Sequence, residues 1–247
     1  MNPTQQYVED ARLQAEKNQT DTKLGELRFD LEREAIRTQH MKSFTWMGIP
    51  ILQFPGDLMV MQELIWRVKP TCIVETGIAF GGMSAFYGTI SPPETTAVYS
   101  VDIEIRLHAH LVPMMCPKVA FLESSSVGVN ARDLVKRLLR MRKEDREGSG
   151  WTFLVSLDSN HTHDHVLEEL RLYAPLVSVG SYIVVFDTGI EFFSDVIEQD
   201  RPWGKGNNPW TAVQQFLKED DRFVVDHVPE IKALVTSAPG GFLRRVK

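Results

Sequence analysis

The segment Cys72-Ile73-Val74-Glu75-Thr76-Gly77-Ile78-Ala79-Phe80-Gly81-Gly82-Met83-Ser84 joins an apolar run, an acid, a glycine turn and the start of a helix. A nucleotide-type cofactor meets this arrangement at the carboxyl edge of a parallel sheet. Gly77 lets the chain turn sharply and approach a ligand, while Gly81 and Gly82 open the next helix without side-chain bulk. The spacing lacks the Gly-Lys-Ser/Thr ending of a phosphate loop and the Gly-x-Gly-x-x-Gly of dinucleotide binders. An acid directly at the strand end suits a positively charged ligand end, such as the amino group of S-adenosylmethionine, better than a pyrophosphate. Glu75, Thr76, Gly77, Gly81, Gly82 and Ser84 are therefore the first cofactor-binding candidates.

Other run ends carry further polar groups. Tyr99-Ser100-Val101-Asp102 places an acid where it can accept both hydroxyls of an adenosine ribose, or simply cap a helix following at Ile103. In Leu122-Glu123-Ser124-Ser125-Ser126, a hydroxyl such as that of Ser125 can reach an adenine, and equally suits a turn. The densest polar cluster is Asp158-Ser159-Asn160-His161-Thr162-His163-Asp164-His165, and the next run ends Phe186-Asp187-Thr188. Asp158 and Asp187, on adjacent strand ends, can share one hard divalent cation such as Mg2+, with Asn160 or Thr188 adding an oxygen. The competing reading makes both acids helix caps. Three histidines invite zinc, but His163 points away from the other two on a helix and no cysteine completes a tetrahedral site. His161 is better read as a general base suited to neutral pH, with His163 and His165 on the surface. Asp158 thus serves as catalytic, cofactor-binding and metal-binding candidate.

These residues need a scaffold, and the hydrophobic pattern supplies one. Apolar runs recur at 72–75, 97–101, 119–122, 152–157, 181–186, 223–226 and 242–246, with helical patterns at 57–68, 83–90, 127–142, 162–173 and 209–219. Runs such as Tyr182-Ile183-Val184-Val185-Phe186 are apolar on both faces, as buried parallel strands are. The alternation predicts an α/β fold: a doubly wound, mostly parallel sheet ending in an antiparallel strand pair. Residues 1–45 are charge-rich and helical in pattern, without a core of their own. They form an N-terminal extension that packs on the main domain, 46–247, or on another subunit of a homo-oligomer. The loop Arg201–Trp210 carries two tryptophans that can cover a site.

Bulk properties exclude several classes. With 247 residues, 43% hydrophobic and 24% charged, the chain can bury a full core. A net charge of −6 argues against nucleic acid as a partner, and the basic run Lys136–Lys143 is followed by Glu144, Asp145 and Glu147, as in a solvated helix end. No run approaches the ~18 apolar residues of a membrane span, and Met1–Asp10 holds no apolar stretch of a signal peptide. Cys72 and Cys116 suggest neither a disulfide framework nor a metal knuckle. The expectation is a cytoplasmic protein.

The chain resembles the "cephalosporin hydroxylase" family, which includes sugar and rhamnosyl O-methyltransferases. The matching segments are Lys69-Pro70, Ile73-Val74-Glu75-Thr76-Gly77, Gly81-Gly82, Leu157 through Leu170, Tyr173-Ala174-Pro175-Leu176-Val177, Gly180-Ser181-Tyr182 and Asn208-Pro209-Trp210, so the resemblance spans roughly 45 to 247. It implies a Rossmann-like fold, S-adenosylmethionine and, for many members, Mg2+ beside the methyl donor. Members often carry an acidic pair at the fifth strand end and a second acid in the preceding motif. Here Phe186 stands beside Asp187 and Asn160 stands where an acid can occur, leaving Asp158 and Asp187 as the carried-over ligands. The expected activity is magnesium-assisted O-methylation of a sugar or glycosylated natural product. A nicotinamide-dependent oxidoreductase and a non-catalytic binding protein on the same fold are the alternatives.

Overall fold

The computed structural model describes residues 2–92, 95, 97–144, 150–197 and 200–247. Asp145 and Glu147, at the end of the basic run, lie outside them. Two helices lead the chain, α1 (Pro3–Asn18) and α2 (Thr22–Arg37), followed by a short hairpin of β1 (Thr45–Trp46) and β2 (Ile49–Pro50). The alternating region runs α3 (Pro55–Val68), β3 (Cys72–Thr76), α4 (Gly82–Ile90), β4 (Ala97–Asp102), α5 (Leu111–Met115), β5 (Val119–Glu123), α6 (Val129–Glu144), β6 (Phe153–Leu157), α7 (His163–Tyr173) and β7 (Tyr182–Val185). It closes with α8 (Ile190–Phe193), α9 (Pro209–Glu219), β8 (Phe223–Val225), α10 (Val228–Ala233) and β9 (Phe242–Arg245).

Among the described residues the main sheet has seven strands in the order β5-β4-β3-β6-β7-β9-β8. The first five are parallel, while β9 pairs antiparallel with both β7 and β8. The expected terminal antiparallel pair, β8 with β9, is therefore present, with β9 inserted between β7 and β8. The strand order reverses between β3 and β6, so the crevice for a ligand opens at their carboxyl ends. Every residue of β3, β6 and β7 is buried, which is why these runs lack polar alternation.

Successive side chains point to opposite faces, so the sheet feeds two cores. Ile73, Leu154, Tyr182 and Val184 pack with α3 and α4, whereas Cys72, Val74, Phe153, Val155 and Ile183 pack with α6, α7 and α9. The hairpin lies over α4, where the Trp46 indole donates to Thr89 Oγ1 (2.8 Å) and meets the Phe86 ring edge-on at 5.0 Å. The N-terminal helices dock on the end of the domain. Phe29 packs on Phe193 (centroids 4.8 Å apart), Arg33 pairs with Asp195, and α1 touches α10.

Candidate active site

The glycine turn positions everything else. Gly77 has φ +87°, and a Cβ built there falls 1.9 Å from the carbonyl oxygen of Asp158. Its N–H donates to the Val101 carbonyl (2.8 Å), and the Asp158 N–H donates to the Thr76 carbonyl (2.9 Å). Close approach by backbone was expected to serve a ligand; at Gly77 it brings the ends of β3 and β6 together. Gly82 plays a similar part, since a Cβ there would meet the Pro50 carbonyl oxygen at 2.3 Å. Gly81, at φ +92°, is the N-cap residue just before α4.

Glu75 and Ser84 are buried, and the Ser84 hydroxyl donates to Glu75 Oε2. Burial pushes the Glu75 carboxyl up to about 8, and the negative charges of Asp158 and Asp102 push the same way. A cationic ligand group would relieve both effects. Thr76 is buried too, and its Oγ1 has no hydrogen-bond partner among the described residues. Asp102 Oδ2 accepts from the N–H groups of Ile78 (2.6 Å) and Ala79 (3.1 Å). Its carboxylate thus fixes the glycine turn and does not cap a helix at Ile103. The Ser125 side chain is half-buried at the end of β5. Its neighbour Ser126 is the one built into a network.

Asp158, His161 and Asp187 offer one ligand atom each within 4.8 Å of one another. His161 Nδ1 lies 3.1 Å from Asp187 Oδ2, and its Nε2 lies 3.4 Å from Asp158 Oδ1. That second contact is not an aligned hydrogen bond, and Nε2 is buried without a partner among the described residues. Burial alone would depress the imidazole, but the charges of Asp187 and Asp158 outweigh it and raise its pKa to about 9. Burial also pushes the Asp158 carboxyl up, against the lowering effect of His161. Without a metal, a protonated imidazole is the cation between two carboxylates. A hard divalent ion fits the same carboxylate oxygens, in place of the imidazolium charge that now sits between them. Asp187 adopts φ +56°, an uncommon backbone state that Asp tolerates better than most residues. Neither acid is a helix cap by its side chain: α7 is capped at Thr162 and α8 at Gly189, and neither has a side-chain cap bond.

Several expectations about the surroundings need correction. Asn160 is occupied by Thr162, and Thr188 is buried with Oγ1 donating to the Pro239 carbonyl (2.8 Å), so neither is a free extra ligand. His163 and His165 are half-buried and hydrogen-bonded, not free on the surface. His163 contacts Thr211 (2.8 Å) and Gln215 (3.0 Å), while His165 Nε2 meets Ser126 Oγ at 2.8 Å. Ser159 ties that group to buried Glu169 with a 2.7 Å bond. Phe186 is buried in the core with Met61 and Tyr182. Trp203 does reach the site, its ring centroid 4.8 Å from that of His161.

Gln53 was not anticipated. Its buried amide donates to Asp158 Oδ2 (2.8 Å) and accepts from Ser237 Oγ (3.2 Å), which also contacts buried Asp57. Burial pushes Asp57 up to about 7, against its Thr236 and Ser237 hydrogen bonds. Nothing local in the sequence marks Gln53; only the fold brings it to Asp158.

The fold is a Rossmann-like, mostly parallel α/β sheet with acids at its strand ends. An apo structure of CmcI covers 83% of this chain and 77% of its own, with a TM-score of 0.59 at 16% identity. CmcI with Mg and SAM gives 0.58 at 16% identity, covering 83% and 78%. The rhamnosyl O-methyltransferase of Mycobacterium tuberculosis is 32% identical over 206 residues, 81% of this chain and 78% of that protein. The profile of the rhamnosyl O-methyltransferase/CmcI family matches residues 38–246, and the chain belongs to this family of O-methyltransferases.

Proposed function

We propose that the protein transfers the methyl group of S-adenosylmethionine to a hydroxyl of a sugar or glycosylated small molecule, with Mg2+ at the site. The observation that carries this reading is the Asp158–His161–Asp187 cluster, set beside the Gly77 turn by the backbone contact between β3 and β6. Support comes from CmcI, of similar fold and described with Mg and SAM, and from the rhamnosyl O-methyltransferase relative.

Bound S-adenosylmethionine supplies a methyl group already made electrophilic by its sulfonium. Glu75 would hold its amino group, Asp102 its ribose through the oxygen not used by the turn, and Ser125 its adenine edge. The backbone at Gly77, Gly81 and Gly82 and the hydroxyls of Thr76 and Ser84 shape that pocket. Asp158 and Asp187 would hold Mg2+, which would supply a positive charge that favours ionisation of the acceptor hydroxyl. With the two carboxylate charges neutralised, His161 loses what raises its pKa and can take the acceptor proton. Trp203 covers the imidazole and limits its access to water. The exposed apolar residues of the 1–45 extension, Tyr7, Val8, Leu27 and Leu31, suit a homo-oligomer contact.

The test is transfer of a labelled methyl group from S-adenosylmethionine to p-nitrophenyl α-L-rhamnoside and related glycosides, with and without EDTA. EDTA-sensitive labelling of the sugar is expected. Failure to label any glycoside in a protein that binds S-adenosylmethionine would remove the sugar acceptor from the reading.

A further inference from the structure

A cavity of about 310 Å³ lies between α2 and the α8 region, lined by residues that include Arg28, Phe29, Glu32, Phe192, Trp210 and Gly240. This is the lower end of the range for small-molecule sites, about 300–1,000 Å³. Its wall is aromatic. Phe29 and Phe192 remain 47% and 42% exposed, and Phe192 meets Trp210 edge-on at 5.6 Å.

Glu32 is the anomaly. It is 2% exposed, yet its Oε1 has no hydrogen-bond partner among the described residues. A buried carboxyl oxygen without a partner is unfavourable, and a ligand hydroxyl would satisfy it. Burial pushes this carboxyl up to about 8, against the nearby Arg28 charge. At neutral pH the group is largely an acid that can both donate and accept. The other acid lining the cavity is already satisfied: Glu230 receives the Gly240 N–H and contacts His227 Nδ1 at 2.9 Å.

Two wall residues connect the cavity to the segment that carries Asp187. Phe192 lies on the helix that follows the Asp187 turn, and Pro239, which accepts from Thr188, also lines the cavity. The wall bearing Phe29 and Glu32 lies on α2, which ends at Arg37, before the family match begins at residue 38.

We propose that this cavity binds a neutral sugar ring of the acceptor, with Glu32 bonding its hydroxyls and Phe29, Phe192 and Trp210 packing against its C–H faces. The inference rests on the sugar-acceptor reading above. A cationic ligand is disfavoured because the Arg28 guanidinium also lines the cavity. The N-terminal extension then selects the acceptor, while residues 38–246 carry the chemistry.

The test measures p-nitrophenyl α-L-rhamnoside binding by calorimetry in the presence of Mg2+ and S-adenosylhomocysteine, so that no turnover occurs. Glu32→Ala and Phe29→Ala should each weaken glycoside binding at least tenfold and leave S-adenosylhomocysteine binding within about twofold. Glu32→Gln, which keeps a donor and an acceptor, should stay within about threefold of wild type. Phe29 is half exposed, so its variant keeps the test sound if Glu32→Ala melts early. Unchanged glycoside binding in folded Glu32→Ala and Phe29→Ala overturns the subsite and leaves the methyltransferase reading standing. A wild-type protein that binds S-adenosylhomocysteine but neither rhamnoside nor the matching glucoside also overturns the subsite. Binding of neither cofactor product nor glycoside would instead defeat the methyltransferase reading.

Discussion

Gly77 and Asp158 occupy the same small space: a methyl group on Gly77 would sit 1.9 Å from the Asp158 carbonyl oxygen. One residue therefore links the glycine turn to the acid that faces His161, because any displacement at Gly77 shifts both. The contact lies where the strand order reverses, between the two central parallel strands.

Gly77→Ala should accordingly be more damaging than its size suggests. A left-handed backbone costs a non-glycine residue about 1–2 kcal/mol, and the clash adds about 1–3 kcal/mol of overpacking. Gly180→Ala is the control, with φ +84° and nothing within 4 Å, so only the backbone cost applies. Thermal melts should rank Gly77→Ala well below Gly180→Ala. Only the first should weaken both S-adenosylmethionine and Mg2+ binding, and equal behaviour of the two variants would mean the contact relaxes freely.

Glu75 predicts a proton released on cofactor binding. Its carboxyl, raised to about 8, is mostly neutral in the free protein at pH 6.5–7. A bound ammonium favours the carboxylate, so binding should expel close to one proton per ligand, and less as pH approaches 8. Calorimetry in two buffers of different ionisation enthalpy reads this directly. Glu75→Gln should abolish the release and weaken binding about ten- to hundredfold, the worth of a charge-assisted hydrogen bond of about 1.5–3 kcal/mol. The sign also bears on stability. A buried acid with a raised pKa stays neutral when folded while its unfolded counterpart ionises, so Glu75 costs stability as pH rises from about 4.5 to about 8.

Asp187→Asn isolates the metal from the backbone, because Asn also tolerates the left-handed conformation seen here at φ +56°. Mg2+ affinity should fall at least tenfold and turnover with it, while S-adenosylmethionine still binds. EDTA should abolish methyl transfer by the wild type, and added Mg2+ should restore it. Full activity in EDTA would take the metal out of the mechanism.

Much of this was legible in the chain. The glycine turn, the strand-end acids and the fully apolar runs gave β3, β6 and β7, since parallel strands buried on both faces need no polar alternation. The insertion of β9 between β7 and β8 was not legible, because pairing of distant strands leaves no local pattern. The hairpin at Thr45–Pro50 and the four-residue α8 are too short for periodicity to register. At the site, sequence order could place Asp158 and Asp187 on neighbouring strand ends, but not the buried amide of Gln53 on Asp158. The hydrogen bonding of His163 and His165 was missed for the same reason: their partners Thr211, Gln215 and Ser126 are remote in sequence.

His161 gives the sharpest test, because the two carboxylates make its role depend on what else they hold. In the metal-free protein its pKa of about 9 keeps it protonated at neutral pH, so a cation binding Asp158 and Asp187 must displace that proton. Mg2+ affinity should therefore rise with pH up to about 9, by about tenfold per unit if one proton leaves, and level off above. Such an imidazole also stabilises the metal-free fold at low pH, a contribution complete below about 6.5 and lost as pH passes 9. His161→Ala should retain Mg2+, flatten the pH dependence of its affinity, and lose about 10²–10⁴-fold in turnover at neutral pH, as expected for a general base. A variant with unaltered turnover would leave acceptor activation to the metal alone. One that no longer binds Mg2+ would make His161 a ligand instead of the base.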